Sequence, residues 1–289
     1  MTSARPRGPI VLGVDAASAD PMAVAWAADE ADRLGLPLRL VHAIPPSARG
    51  DRSFDAGRSH KALRELGDRA LERAAAAVRA RRPRVPVTTV VADEAPAPAL
   101  CRESRQASFV VVGSRRLNRL EEVMSAFSVT VPVSAQAHCP VVVVREPEHV
   151  TEDRPYVVVG VDGSPTSQAA VDVAFDLADQ RRAAVRAIWV WESRLIHHVD
   201  DGAAVQTLRR LLDEATAGRR DLHPDVVLTH EVLRGHPVDE LARASEHALA
   251  AVVGRRGSGG FTGMQLGSVP HGLLHHAHCP VVTVPAPAH

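Results

Sequence analysis

Aromatic side chains make up only 3% of this chain, and its three cysteines, Cys101, Cys139 and Cys279, form no CxxC pair. The first scarcity argues against base-stacking surfaces for single-stranded nucleic acid. The second means that neither a disulfide framework nor a zinc site is suggested. Net charge is lacking as well: 34 Lys and Arg balance 34 Asp and Glu, so no overall field draws the chain to nucleic acid or to an anionic membrane. No stretch of about 18 uncharged apolar residues occurs, and the segment from Met1 to Gly8 lacks the apolar run of a signal peptide. A cytoplasmic protein with a small or localised ligand is the expectation. What is present is apolar material, 45% of 289 residues, enough to bury the core of one large domain or two ordinary ones. The abundance of Ala, Arg and Pro fits a high-GC bacterial coding bias.

The chain is written twice. Ile10-Val11-Leu12-Gly13-Val14-Asp15 returns as Val157-Val158-Val159-Gly160-Val161-Asp162, Phe109 to Gly113 returns as Ala250 to Gly254, and Ala137-His138-Cys139-Pro140 returns as Ala277-His278-Cys279-Pro280. Three landmarks in the same order mark an internal repeat, with domains expected at 9–145 and 156–285. Residues 146–155 are charged and proline-flanked, the composition of a short linker. Within each copy, short β-branched runs (Ile10 to Val14, Val110 to Val112, Val141 to Val144; Val157 to Val161, Val226 to Leu228, Val281 to Val284) read as buried parallel strands. Segments with helical spacing, such as Met22 to Ala31 and Leu63 to Leu71, lie between them. The expected fold class is therefore α/β: two tandem doubly wound domains, each a five-stranded parallel sheet flanked by helices. In such sheets ligands bind beyond the carboxyl ends of the strands, where the strand order reverses.

Between Gly254 and Gly267 six glycines fall in 14 residues, at a strand-to-helix connection. Bare backbone there can approach a ligand, and successive N–H groups can point at an anion. Ser268 would open the following helix, whose free N–H groups and positive dipole end favour phosphate; it also reads as an N-cap, a compatible role. The arrangement is not a GxxxxGK[ST] loop, and the GxGxxG spacing is missing after the first strand of either copy.

The pattern Gly254-x2-Gly257-x9-Gly267-Ser268, with Val161-Asp162-Gly163-Ser164 after the first strand and His278-Cys279-Pro280-Val281 downstream, resembles the ATP-binding form of the universal stress protein family, over both copies. The resemblance implies ATP as ligand, with Mg²⁺ carried by the phosphates. It implies Asp162 at the nucleoside, Val190 offering backbone bonds to adenine, Val253 and Gly254 lining the site, and Gly257, Gly267, Ser268 and Val269 on ribose and phosphates. The competing reading of Asp162 is a turn or cap residue. Trp189 and Trp191 flank the adenine edge and either stack on the base or serve packing. In the first copy the equivalents Asp15, Gly113, Ser128 and Val129 are degenerate: Arg116 and Phe127 stand for the second and third glycines, and Glu121 and Glu122 would repel phosphate. That copy is expected to bind ATP weakly or not at all. The family further implies pairing of the last strands, here Val141 to Val144 with Val281 to Val284 inside one chain, and leaves a homodimer open.

The loop holds no positioned base or metal-binding carboxylate between Gly254 and Val269, so binding in a regulatory, stress-adaptive module is the leading expectation. Slow ATP hydrolysis by the bound nucleotide's own geometry stays open. An ATP-hydrolysing or adenylating enzyme of a related fold is the alternative, although Asp162-Gly163-Ser164-Pro165-Thr166-Ser167 does not match an SGGxDS-like loop. A nucleotide-free structural module is the third reading. His271 and His275 stand at i,i+4 spacing, which a polar helix face explains better than a metal site. Cys139 and Cys279 read as small core residues, and the arginines from Arg79 to Arg84 as the solvated end of a helix.

Overall fold

The structure is a computed structural model that describes residues 8–16, 20–45, 54–114, 129–150, 153–192, 201–258 and 266–287. The chain divides after Arg145 into two compact units. The first contains β1 (Ile10–Gly13), α1 (Pro21–Leu34), β2 (Leu38–Ala43), α2 (Phe54–Arg81), β3 (Val87–Ala92), α3 (Pro96–Glu103), β4 (Phe109–Gly113), α4 (Thr130–Gln136) and β5 (Val141–Val144). Its strands run parallel in the order β3-β2-β1-β4-β5. The second contains β6 (Tyr156–Gly160), α5 (Pro165–Arg181), β7 (Ala184–Trp191), α6 (Asp201–Thr216), α7 (Arg219–Leu222), β8 (Leu228–Arg234), α8 (Pro237–Ala244), β9 (Ala250–Gly254), α9 (Ser268–His276) and β10 (Val281–Val284). These strands are also parallel, in the order β8-β7-β6-β9-β10. The doubly wound α/β class is thus observed in both copies, and in each the order reverses between the first and fourth strands.

Local chemistry starts and stops the helices beside those switch points. In the first unit Asp20 caps α1 by accepting the Met22 N–H at 2.9 Å, Pro21 takes the first helical position, and Gly35 ends the helix at φ 63°. In the second unit Ser164 accepts the Ser167 N–H at 3.1 Å, followed by Pro165. Proline suits that position because its missing N–H would have no helical partner. α5 turns its apolar face onto the sheet, with Ala170, Val171, Ala174 and Phe175 at 0% exposure.

Two expectations are revised. The run from Val226 to Leu228 is not a strand in itself: the Val226 N–H bonds to the His223 carbonyl at 3.1 Å, closing the turn after α7, and strand pairing starts only at Leu228, opposite Val185. β8 then continues through the polar residues Thr229, His230 and Glu231, which mask it as an apolar run. The arginines at the end of α2 are not simply solvated, because Arg81 and Arg82 both bind the Asp29 carboxylate of α1 at 2.7–2.8 Å. Burial alone would raise the Asp29 carboxyl, and the two guanidiniums override it and hold it below the ordinary range. In the segment between the copies, Glu148 accepts from Arg181 at 2.9 Å in a nearly buried pair, and His149 Nε2 lies 3.0 Å from the His278 carbonyl.

Candidate functional site

At the carboxyl ends of β6 and β9, where the strand order of the second unit reverses, lies a cavity of ≈ 350 Å³. All eight residues singled out in this copy, Asp162, Val190, Val253, Gly254, Gly257, Gly267, Ser268 and Val269, line it. They come from five places: the end of β6, the end of β7, the end of β9, the β9–α9 connection and the first turn of α9. Residues far apart in sequence meet because parallel strands deliver all their carboxyl ends to one edge.

The three motif glycines have different neighbours. A Cβ at Gly254 would stand 2.5 Å from Thr166 Oγ1 and 2.7 Å from the Thr166 carbonyl carbon. At Gly257 it would stand 2.6 Å from Asp162 Oδ2. At Gly267 the nearest atoms among the described residues are 3.4 Å away, an ordinary contact, and the backbone there is extended, with φ −68° and ψ 161°. Gly254 therefore serves packing against α5 and Gly257 leaves room for a carboxylate, whereas none of the described residues demands glycine at 267.

Asp162 ties the pieces together. Its Oδ1 accepts the Ser164 N–H at 3.0 Å, as an Asx turn would, and its Oδ2 accepts the Ser258 N–H at 2.7 Å across 96 positions. The turn role is thus observed, and it leaves the carboxylate at the cavity wall. Nearby, Thr166 Oγ1 donates to the Arg256 carbonyl, and Ser164 Oγ reaches the same oxygen at 3.4 Å. These bonds clamp the start of the glycine-rich connection to the N-terminus of α5. Ser268 is the first residue of α9, and the cap position falls on Gly267 with no side-chain cap bond, so the N-cap reading of Ser268 is corrected. The start of a helix leaves its first N–H groups without intrahelical partners, here those of Ser268 and Val269; Pro270 has none to offer.

The opposite wall is apolar. Ile188, Trp189 and Val190 come from β7, and Pro237 and Leu241 from α8. Of the two tryptophans, Trp189 lines the cavity, while Trp191 has the Arg234 guanidinium 5.7 Å from its ring centroid. Asp162 is the single carboxylate and Arg256 the single cation among the described lining residues. Ser167, Arg256, Ser258, Pro237 and Leu241 join the site without having been singled out from sequence. Ser258 and Arg256 lie inside the motif and were legible there. Pro237 and Leu241 were hidden because β8 runs on through polar residues, which conceals the strand-to-helix junction that delivers them.

The first unit differs at the same place. Asp15, Gly113 and Val129 are described, while Ser128, Arg116, Phe127, Glu121 and Glu122 lie outside the described residues. A Cβ on Gly113 would meet Asp20 Cβ and Oδ2 at 2.6 Å. A carboxylate thus caps α1 where the second unit caps α5 with Ser164. It occupies the helix N-terminus and would repel an anion. Three more residues separate Asp15 from Pro21 than separate Asp162 from Pro165, and this insertion delivers the group.

Elsewhere, His271 and His275 place their rings 5.0 Å apart on α9, and no group of three or more metal-ligating side chains assembles among the described residues. No helix among the described residues is long and apolar enough to cross a membrane.

A doubly wound α/β chain in two tandem copies, with a ligand-sized cleft at the switch point of the second, is the class these observations define. The universal stress protein family model matches residues 6–145 and 155–285, and the chain belongs to that family. A universal stress protein of Mycobacterium tuberculosis is 32% identical over 298 residues, covering 98% of both chains. One from Mycolicibacterium smegmatis is 33% identical, covering 95% of this chain and 96% of the other. The crystal structure of a universal stress protein from Archaeoglobus fulgidus superimposes with a TM-score of 0.72 at 17% identity, over 97% of each chain.

Proposed function

We propose that the second unit binds ATP in the switch-point cavity, that the first unit binds none, and that the chain is a nucleotide-responsive regulatory module, not a catalyst of turnover. The observation that carries this reading is the meeting, in one cavity, of an apolar wall ending in the Val190 backbone with the Gly257–Ser258 backbone and the free first turn of α9. An adenine base suits the first, since the wall supplies apolar contact and an exposed strand-end backbone. A phosphate chain suits the second, since bare amides and a helix N-terminus attract anions. Mg²⁺ would enter with the phosphates.

Binding is favoured over turnover by the state of Asp162. It is the one carboxylate among the described lining residues, and each of its oxygens already accepts a backbone N–H bond, which holds it as a structural anchor of the loop and not as a base aimed at a nucleophilic water. The test is to purify the full chain without nucleotide-stripping steps, identify any nucleotide released on denaturation, and titrate the stripped protein with ATP and Mg²⁺. ATP recovered or bound without conversion to ADP or AMP over hours is the expected result. Failure to bind ATP would overturn the reading, and rapid conversion to AMP would favour an adenylating enzyme.

A further inference from the structure

In the second unit the Asp162 carboxylate lies against the start of the β9–α9 connection. Oδ2 accepts the Ser258 N–H at 2.7 Å, and a Cβ added to Gly257 would come within 2.6 Å of the same oxygen. The carboxylate is therefore laid directly against the glycine-loop backbone that a phosphate would use. An incoming phosphate oxygen must take the Ser258 N–H from an anion already bonded to it, or settle beside a like charge. Both are unfavourable at such short range, even though the Ser258–Asp162 bond is exposed to solvent.

A nucleoside changes this balance. Its ribose hydroxyls are donors, and a carboxylate is an acceptor only. If a ribose O–H replaces the Ser258 N–H on Oδ2, every bond is conserved: the Ser164 N–H stays on Oδ1, the hydroxyl takes Oδ2, and the Ser258 N–H passes to a phosphate oxygen. A free polyphosphate, ionised at neutral pH, brings no such donor and cannot make the exchange. We propose that Asp162 couples nucleoside recognition to phosphate binding, acting as an internal anion that makes the glycine loop refuse phosphate chains lacking a nucleoside. This rests on the nucleotide reading of the cavity and makes Asp162 a specificity-determining residue as well as a nucleoside contact.

The experiment is calorimetric titration of the full chain with inorganic tripolyphosphate and, separately, with ATP, for the wild type, Asp162→Asn and Asp162→Ala. The expected result is that both variants bind tripolyphosphate at least about tenfold more tightly than the wild type, as removal of a close like charge requires, while their preference for ATP over tripolyphosphate collapses. Asp162→Asn keeps the shape of the side chain, so a loss of fold in Asp162→Ala would not obscure the outcome. Tripolyphosphate affinity unchanged or weakened in both variants, with wild-type circular dichroism, overturns the proposal. A wild type that binds no ATP would instead refute the nucleotide reading, and the tripolyphosphate comparison reads out the carboxylate's effect independently of it.

Discussion

A glycine motif read from sequence looks like one statement repeated three times, yet the three positions carry different physical burdens. Gly254→Val would push a side chain into the main chain of Thr166, and overpacking of this kind costs about 1–3 kcal/mol; a lowered denaturation midpoint is the expected readout. Gly267→Ala meets nothing closer than 3.4 Å among the described residues and sits in an extended conformation, so its melting midpoint should stay within about 2 °C of wild type, whatever happens to ligand affinity. Spacing alone does not distinguish these cases, because it records where glycine occurs and not what lies opposite each Cα. The buried thiols give a second prediction at this scale. Burial pushes the Cys139 thiol from 9.0 up to about 12 and raises that of Cys279 as well. Folded values above the unfolded one mean that their contribution to stability is complete below about pH 9 and drains away as pH climbs toward 12. The urea midpoint should therefore fall with alkali, and it should fall less in a Cys139→Ala, Cys279→Ala variant; equal alkaline sensitivity in both proteins would contradict this.

Among the elements, α5 carries the most. It packs the second sheet with Phe175 wholly buried, so Phe175→Ala should cost about 3–5 kcal/mol, measured by denaturant unfolding. Its cap also touches a lining residue: Ser164→Ala removes the bond from the Ser167 N–H and should cost about 1 kcal/mol, while loosening the Arg256 carbonyl that Ser164 and Thr166 hold. The central strands were legible because a short, uninterrupted β-branched run suits a strand covered on both faces. β8 was not, since Thr229, His230 and Glu231 interrupt its apolar residues and remove the signature of a buried strand. The Arg81–Asp29–Arg82 contact was equally invisible, because it joins α1 to α2 across 52 and 53 positions and depends on how the helices pack. Likewise, the sequence shows Asp20 before a proline but not that its carboxylate faces Gly113.

Over the whole molecule, the repeat was the most legible feature, and the fold followed from it. Two copies with the same strand order present two switch points, and the difference between them is local: in one a hydroxyl caps the helix beside an open glycine connection, in the other a carboxylate does. On the function proposed above, one copy serves as scaffold while the other binds the ligand, and that proposal requires one nucleotide per chain. Titration of the stripped full chain with ATP in the presence of Mg²⁺ should saturate at one ATP per chain, and Gly267→Phe, with wild-type circular dichroism, should bind none. Saturation at two per chain, or one ATP still bound by Gly267→Phe, would contradict it.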